Sequence, residues 1–338
     1  MKAIGYRACL PISDEQALVA LDLPKPVPGP RDLLVSVQAV SVNPVDVKLR
    51  ATAAPPSGEA RVLGFDAAGL VEGVGAEVSL FRPGDEVFYA GAIDRPGSNS
   101  ELQVVDERLV GRKPRSLSFA EAAALPLTSI TAWELLFDRL GVERAPSSTG
   151  RLLVINGAGG VGSILTQIAR RLTGLTVIAT ASRPETIAWC KEMGAHHVID
   201  HRRPLDAGLK AIGLPQVEYV AGLTATDKHL PAIAAAIAPQ GKIAVIDDPK
   251  TLDVVPLKRK SVSLHWELVF TRSLFQTPDM VAQHELLDQV ADLVDAGVLR
   301  TTLTENAGPI DVRNLRRVHA LVESGRSIGK RVLSRFVT

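Results

Sequence analysis

The sequence predicts an α/β protein in which a doubly wound parallel sheet is combined with a mainly β domain. Three observations carry this reading. Residues from Arg151 to Asp247 alternate apolar strand-like runs with helical runs, and Gly157, Gly159 and Gly162 stand between one strand and its helix in the spacing G-x-G-x-x-G. The chain before Ala120 is instead a series of short β-rich runs broken by Pro and Gly.

In order along the chain, LLVSVQAVSV after the PKPVPGP break, AAGLVEGVG and GDEVFYAG read as strands. The stretch Pro24 to Pro30 is a loop inside this domain, because the strand after it is too apolar to open an independent module. Ser118 before FAEAAALPL and Ser129 before ITAWELLFDRLGV predict two Ser-capped helices, with Pro126 ending or kinking the first. After the polar break APSSTG come RLLVIN (strand), GSILTQIARRL (helix), TVIATA (strand), PETIAWCKEMG (helix), HHVIDH and VEYVAGL (strands), HLPAIAAAIAP (helix) and GKIAVID (strand). Strands without polar alternation, separated by helices, argue for a parallel sheet covered on both faces. SVSLHWELVF is β-like, and beyond it MVAQHELLDQVADLVDAG and VRNLRRVHALVESG are helical while RTTLTE and KRVLSRF are strand-like. This last portion has no sheet of its own, so it is expected to return and complete the first domain.

Composition narrows the function. Of 338 residues, 46% are apolar, enough for two cores. Lys plus Arg total 38 against 37 Asp plus Glu, a net charge of +1 that gives no reason to expect nucleic acid or anionic lipid as a partner. Two distant cysteines, Cys9 and Cys190, offer neither a disulfide framework nor a zinc cluster and fit a reducing compartment. The N-terminus lacks the apolar stretch of a secretory signal, and no apolar run reaches the roughly 18 residues of a membrane helix. A cytoplasmic protein acting on a small molecule is expected.

The glycine loop predicts a dinucleotide site. Gly157 allows the turn, Gly159 lets the backbone approach a pyrophosphate, and Gly162 lets the helix pack close to the strand, with Gly160 and Val161 opening the helix whose N–H groups meet the anion. Where NAD enzymes of this fold carry a carboxylate for the ribose, this chain has Ser182 followed by Arg183. A hydroxyl beside a guanidinium suits a 2′-phosphate, which favours NADPH over NADH. The alternative is an arginine that merely caps the loop before PETIAW.

Six segments together resemble the medium-chain dehydrogenase/reductase superfamily over nearly the full length, and most resemble its zinc-free quinone and enone oxidoreductases: SVNPVDVK (41–48), GFDAAGLVEGVG (64–75), FRPGDEV (81–87), ALPLTSITAWELL (124–136), NGAGGVG (156–162) and HWELVFTRSLFQT (265–277). The resemblance implies a split, GroES-like catalytic domain, residues 1–122 and 272–338, around an inserted Rossmann domain, residues 123–271. Zinc-dependent members carry Gly-His-Glu where this chain has Gly64-Phe65-Asp66, and a catalytic Cys where it has Val42-Asn43. The four-cysteine lobe is also missing, so zinc independence is expected. His196, His197 and His201 fall on a strand and its following loop, and His201 is expected near the adenine rather than on a metal. Gly325 to Gly329 spells G-x-S-x-G, but no acid or His follows to complete a hydrolase triad. Cys190 reads as a small buried hydrophobe.

Without a Lewis acid, hydride addition to a quinone or to an enone β-carbon, whose product charge is delocalised, asks less of the protein than carbonyl reduction. The resemblance puts Lys48 of the stretch Asn43-Pro44-Val45-Asp46-Val47-Lys48 near the nicotinamide ribose, where it polarises the ribose hydroxyl or donates toward the enolate oxygen. Asn43 would contact the reacting carbonyl, and Asp46 would orient the segment. Thr128 and Thr131 would reach one side of the nicotinamide, Leu223, Thr224 and Ile246 its far face, Phe270 would border the substrate, and Lys330 would return toward the cofactor. The resemblance further implies a homodimer pairing edge strands near SVSLHWELVF. An NADPH-binding sensor or regulatory protein with little turnover remains the alternative, separable by testing Lys48.

Overall fold

A computed structural model describes residues 1–336, which form two compact units, Met1–Ile130 with the segment from Phe270 onward, and Thr131–Val269. The first unit is mainly β. Its seven-stranded sheet runs Leu303–Asn306, Lys330–Ser334, Asp32–Ser41, Ala67–Val74, Glu86–Tyr89, Val110–Arg112, with Leu102–Asp106 also pairing Asp32–Ser41. The returning C-terminal strand is an integral member: Val332 lies opposite Ser41 and Leu333 opposite Val40, antiparallel. A second sheet of three strands holds Val19–Asp22, Lys2–Tyr6 and Arg61–Val62. Leu33, Val35, Val37, Ala39 and Val40 of the long strand are all buried, as its apolar composition requires.

The second unit is a six-stranded sheet, all parallel, in the order His197–Ile199, Thr176–Thr180, Arg151–Val154, Val217–Gly222, Ile237–Val245, Ser263–Trp266. In chain order this is 3-2-1-4-5-6, the doubly wound arrangement, whose direction of winding reverses between Arg151–Val154 and Val217–Gly222. Leu153, Ile178, Val220, Ile243, Leu209 and Ile233 are among the buried residues of its core. Among the described residues, no helix is long and apolar enough to cross a membrane.

One expectation is corrected here. Ser118 does cap the helix Phe119–Ala122, its hydroxyl accepting from Glu121 N at 3.3 Å, but Pro126 opens the next helix, Pro126–Trp133, instead of ending the first, and Ser129 lies buried in its interior. Proline's fixed φ and missing N–H suit a first helical position. The helix then runs into a π-helical segment, Glu134–Arg139.

Candidate functional site

In the second unit the glycine loop joins the strand Arg151–Val154 to the helix Gly160–Leu172. The turn's left-handed residue is Asn156, at φ 64°, whose N–H donates to Thr180 Oγ1 at 2.9 Å. Each glycine then has its own steric reason. A Cβ on Gly157 would stand 2.6 Å from Ala179 Cβ, and one on Gly162 would stand 2.4 Å from Asn156 O and 2.7 Å from Gly157 Cα. One on Gly159 would crowd only the side-chain amide of Asn156, at 2.9 Å, and reach ordinary contact with Asn156 O at 3.5 Å. Gly157 and Gly162 are therefore packing glycines, while Gly159 keeps the helix entrance bare: as N-cap it offers no side chain to the first-turn N–H groups, Gly160 and Val161 included. Such an entrance suits an anionic phosphate, and the residues present fit a dinucleotide.

The other expected nucleotide residues fall at the carboxyl ends of successive strands. Leu223 and Thr224 follow Val217–Gly222, and Ile246 follows Ile237–Val245, with Ile246 N bonded to Gly222 O at 3.1 Å. Leu223 is buried and Thr224 exposed. Ser182 and Arg183 follow Thr176–Thr180, and the Arg183 guanidinium pairs with Glu185 at 2.8 Å. A second guanidinium went unpredicted: Arg202 Nη2 donates to the Ser182 carbonyl at 2.9 Å while Nε and Nη2 engage Asp200. That pairing holds the Asp200 carboxyl down at about 2, the Arg202 hydrogen bond being its main cause. His201, after His197–Ile199, faces His229 with ring centroids 6.2 Å apart, and its buried Nδ1 has no hydrogen-bond partner among the described residues. Burial pushes both imidazoles below the usual histidine value. His196 is used structurally, Nδ1 accepting from Val177 N at 2.9 Å. Thr131, at the start of this unit, is buried.

In the first unit the expected residues converge on a carboxylate that sequence reasoning treated only as a missing zinc ligand. Asp66, 1% exposed, accepts from Leu127 N (2.7 Å) through Oδ1, and from Asn43 Nδ2 (2.7 Å), Ser41 Oγ (2.8 Å) and Lys330 Nζ (2.9 Å) through Oδ2. Asn43 is the N-cap of the helix Pro44–Thr52, whose exposed face carries Lys48. Below the cap, Asp46 accepts from Asn43 N at 2.7 Å and from Gly64 N at 2.9 Å, the latter made possible by φ +116° at Gly64. Full burial pushes the Asp46 carboxyl up to about 7, with the Asp66 charge adding to it and the two N–H donors and Lys330 opposing it. Asp46 thus orients the segment, as expected.

Three assignments need correction. Lys330 is expected on the cofactor side, but it is buried and its ammonium donates to Val42 O, Asn43 Oδ1 and Asp66 Oδ2, which occupies all three of its N–H bonds. Asn43 is expected at a substrate carbonyl, yet it is 1% exposed with its amide held between Lys330 and Asp66. Phe270 is expected at the substrate border, yet it is 1% exposed and packs edge-on against Phe65 with centroids 5.3 Å apart. Thr128, also buried, donates to Leu125 O at 3.1 Å. The place of Gly64-Phe65-Asp66 does not fit a zinc ion: Phe65 offers no donor atom, and both oxygens of Asp66 are occupied by an ammonium and three neutral donors.

Comparison with known proteins gives the following. Residues 29–131 match the alcohol dehydrogenase GroES-like domain, and residues 193–333 match the zinc-binding dehydrogenase family. A zinc-type alcohol dehydrogenase-like protein of Staphylococcus aureus is 42% identical over 99% of this chain and 100% of its own length. A crystal structure from Rhizobium etli CFN 42, provisionally named a zinc-dependent alcohol dehydrogenase, is 57% identical, with a TM-score of 0.96 over 100% of this chain and 99% of its own. The 2-methylene-furan-3-one reductase of Solanum lycopersicum is 41% identical over 51% of this chain and 45% of its own length.

Proposed function

Because this chain belongs to the medium-chain dehydrogenase/reductase superfamily and is an oxidoreductase of that kind, we propose that it reduces quinones or α,β-unsaturated carbonyl compounds with NADPH and without zinc. The observation that carries the metal-free part is the Lys330–Asp66 pair: the one carboxylate left from the zinc-ligand sequence already holds a cation. The name of the tomato relative, an enone reductase, supports the substrate class.

Bound NADPH supplies the hydride. The protein's part is to hold the nucleotide and meet the charge that develops on the substrate. In this reading the entrance at Gly159 to Gly162 takes the pyrophosphate, Ser182 and Arg183 the 2′-phosphate, and His201 borders the adenine. Leu223, Thr224, Ile246 and Thr131, all of the second unit, would line the nicotinamide. Lys48, on the exposed face of its helix, polarises the ribose hydroxyl or donates to the substrate oxygen as it gains charge.

The partner we propose is a second copy of the chain. Ser263–Trp266 is the last strand of its sheet, with no further strand paired to it among the described residues, and its Trp266 is 56% exposed at a shallow, mostly apolar groove lined by Leu252, Val254, Lys258, Val262 and Leu264. Pairing two such edges would remove an exposed strand and cover that groove. Cys190 is buried and Cys9 exposed, both as free thiols, which fits a cytoplasmic location.

The test is anaerobic oxidation of NADPH, with NADH in parallel, by chelator-treated protein against quinones, enones, aldehydes and ketones. Turnover of quinones or enones after metal removal is expected. Activity that is confined to alcohols or ketones and returns only with zinc would overturn the proposal, and tight NADPH binding with no turnover would replace it with a nucleotide-sensing role.

A further inference from the structure

We propose that Asp66 is the positioning residue that locks the Lys48 helix to the Thr128 helix, with Lys330 as the cation that anchors it. The inference rests on the reductase reading for its catalytic consequence, and on geometry for the lock itself.

The carboxylate joins four elements. Its Oδ1 takes the N–H of Leu127 in the first turn of the helix Pro126–Trp133, where proline supplies no N–H and an anion is favoured. Its Oδ2 takes the Asn43 amide at the N-cap of Pro44–Thr52, the Ser41 hydroxyl at the end of Asp32–Ser41, and the Lys330 ammonium at the start of Lys330–Ser334. Only a carboxylate accepts from four donors; an amide would aim its own NH₂ at Asn43 or Lys330. The segment bearing Asp66 is pinned a second time two residues earlier, where Gly64 N donates to Asp46 of the same helix. Lys48 stands five residues beyond the Asn43 cap on this helix, so any pivot at the cap is carried to its ammonium. Displacements of about 1 Å at a reacting group cost on the order of 100-fold in rate.

Two variants test this. Asp66→Glu keeps the charge and the partner for Lys330 but moves the carboxyl group by one methylene. Asp66→Leu/Lys330→Met removes both charges together but leaves Leu127 N, Asn43 Nδ2 and Ser41 Oγ without their acceptor, so it is expected to lose stability, and its kinetics are read only once circular dichroism shows it folded. For both, kcat is expected to fall about 100-fold while KM for NADPH stays within about threefold, the pattern of lost positioning with intact cofactor binding. Hydrogen exchange read by mass spectrometry supplies a measurement independent of turnover. Amides in residues 43–52 and 124–133 are expected to exchange about tenfold faster together in the variants, with residues 151–172 unchanged. A folded variant with kcat within about threefold of wild type, or faster exchange in one helix only, would overturn the inference. If wild-type protein turns over no quinone or enone, the reductase reading fails by itself, and the exchange data still decide whether Asp66 couples the helices.

Discussion

Arg202 Nη2 donates to the carbonyl oxygen of Ser182 at 2.9 Å, so a guanidinium from the loop after His197–Ile199 sits at the end of the neighbouring strand Thr176–Thr180. Arg183 contributes a second positive charge next to Ser182. If these groups recognise a 2′-phosphate, Arg183→Ala and Arg202→Ala should each raise KM for NADPH about tenfold, the scale of one charge-assisted hydrogen bond, while leaving KM for NADH nearly unchanged. Steady-state kinetics with both nucleotides decide it. Equal losses for the two cofactors would remove the assignment.

The glycine loop makes a sharper steric claim. At Gly162 an added methyl would collide with backbone atoms, Asn156 O at 2.4 Å and Gly157 Cα at 2.7 Å, which cannot rotate away. Gly162→Ala should therefore push the helix off the strand, costing about 1–3 kcal/mol of stability and weakening NADPH by more than tenfold. Thermal denaturation and nucleotide fluorescence titration measure both. At Gly159 the obstacle is a movable side chain, so Gly159→Ala should leave stability almost intact and lower affinity only.

Why the loop was legible in sequence and the Asp66 junction was not follows from chain separation. Strand runs and helical periodicity are local, and the loop lies within seven residues between one strand and one helix, so pattern alone places it. Asp66 meets Asn43, Leu127 and Lys330 across 23, 61 and 264 positions, and no local signal links them. Ser129 illustrates the same limit. It resembles a cap only until the distant Asp66 is seen bonded to Leu127 N, with Pro126 starting the helix. The roles carried over for Asn43, Phe270 and Lys330 changed for a related reason: resemblance supplies a position in the chain, whereas burial and partners decide which way a side chain is engaged.

Asp46 gives the protein a pH signature. Burial raises its carboxyl from 3.8 to about 7 in the folded chain, so the native state keeps a proton that the unfolded state has released. Its contribution to stability is fully present below about pH 4 and declines as pH rises through about 7, by up to roughly 4 kcal/mol. Asp46→Asn loses one of two accepted N–H bonds but does not titrate. Urea unfolding of both proteins from pH 4.5 to 8 should show the variant gaining on wild type as pH rises. A gap independent of pH would contradict the assignment.

The open edge at Ser263–Trp266 sets the expectation for assembly. Trp266 is 56% exposed on the terminal strand of the sheet, where an aromatic side chain suits an interface centre. Trp266→Glu places a charge in any such interface, so if the wild-type protein sediments as the proposed dimer, the variant should sediment as a monomer at micromolar concentration, with the far-ultraviolet dichroism unchanged. A wild-type protein that sediments as a monomer would leave this edge without its proposed partner.

Lys48 decides between an enzyme and a nucleotide-binding protein. Its helix is pinned from below by Asp46 and at its far end by Tyr6 and Arg50, Tyr6 donating to Leu49 O at 3.3 Å and Arg50 pairing with Glu323, while Lys48 itself stands on the exposed face. Substitution at this exposed position should therefore cost the fold little, which thermal denaturation checks. If its ammonium meets charge developing on the substrate oxygen, Lys48→Ala should lower kcat about 100-fold or more, with the Kd for NADPH within a factor of about three. Lys48→Arg keeps the charge but not its placement and should recover only part of the loss. Loss of NADPH affinity in proportion to turnover would instead make Lys48 a binding residue, and an unchanged kcat would move the search for the donor elsewhere on the exposed face of this unit.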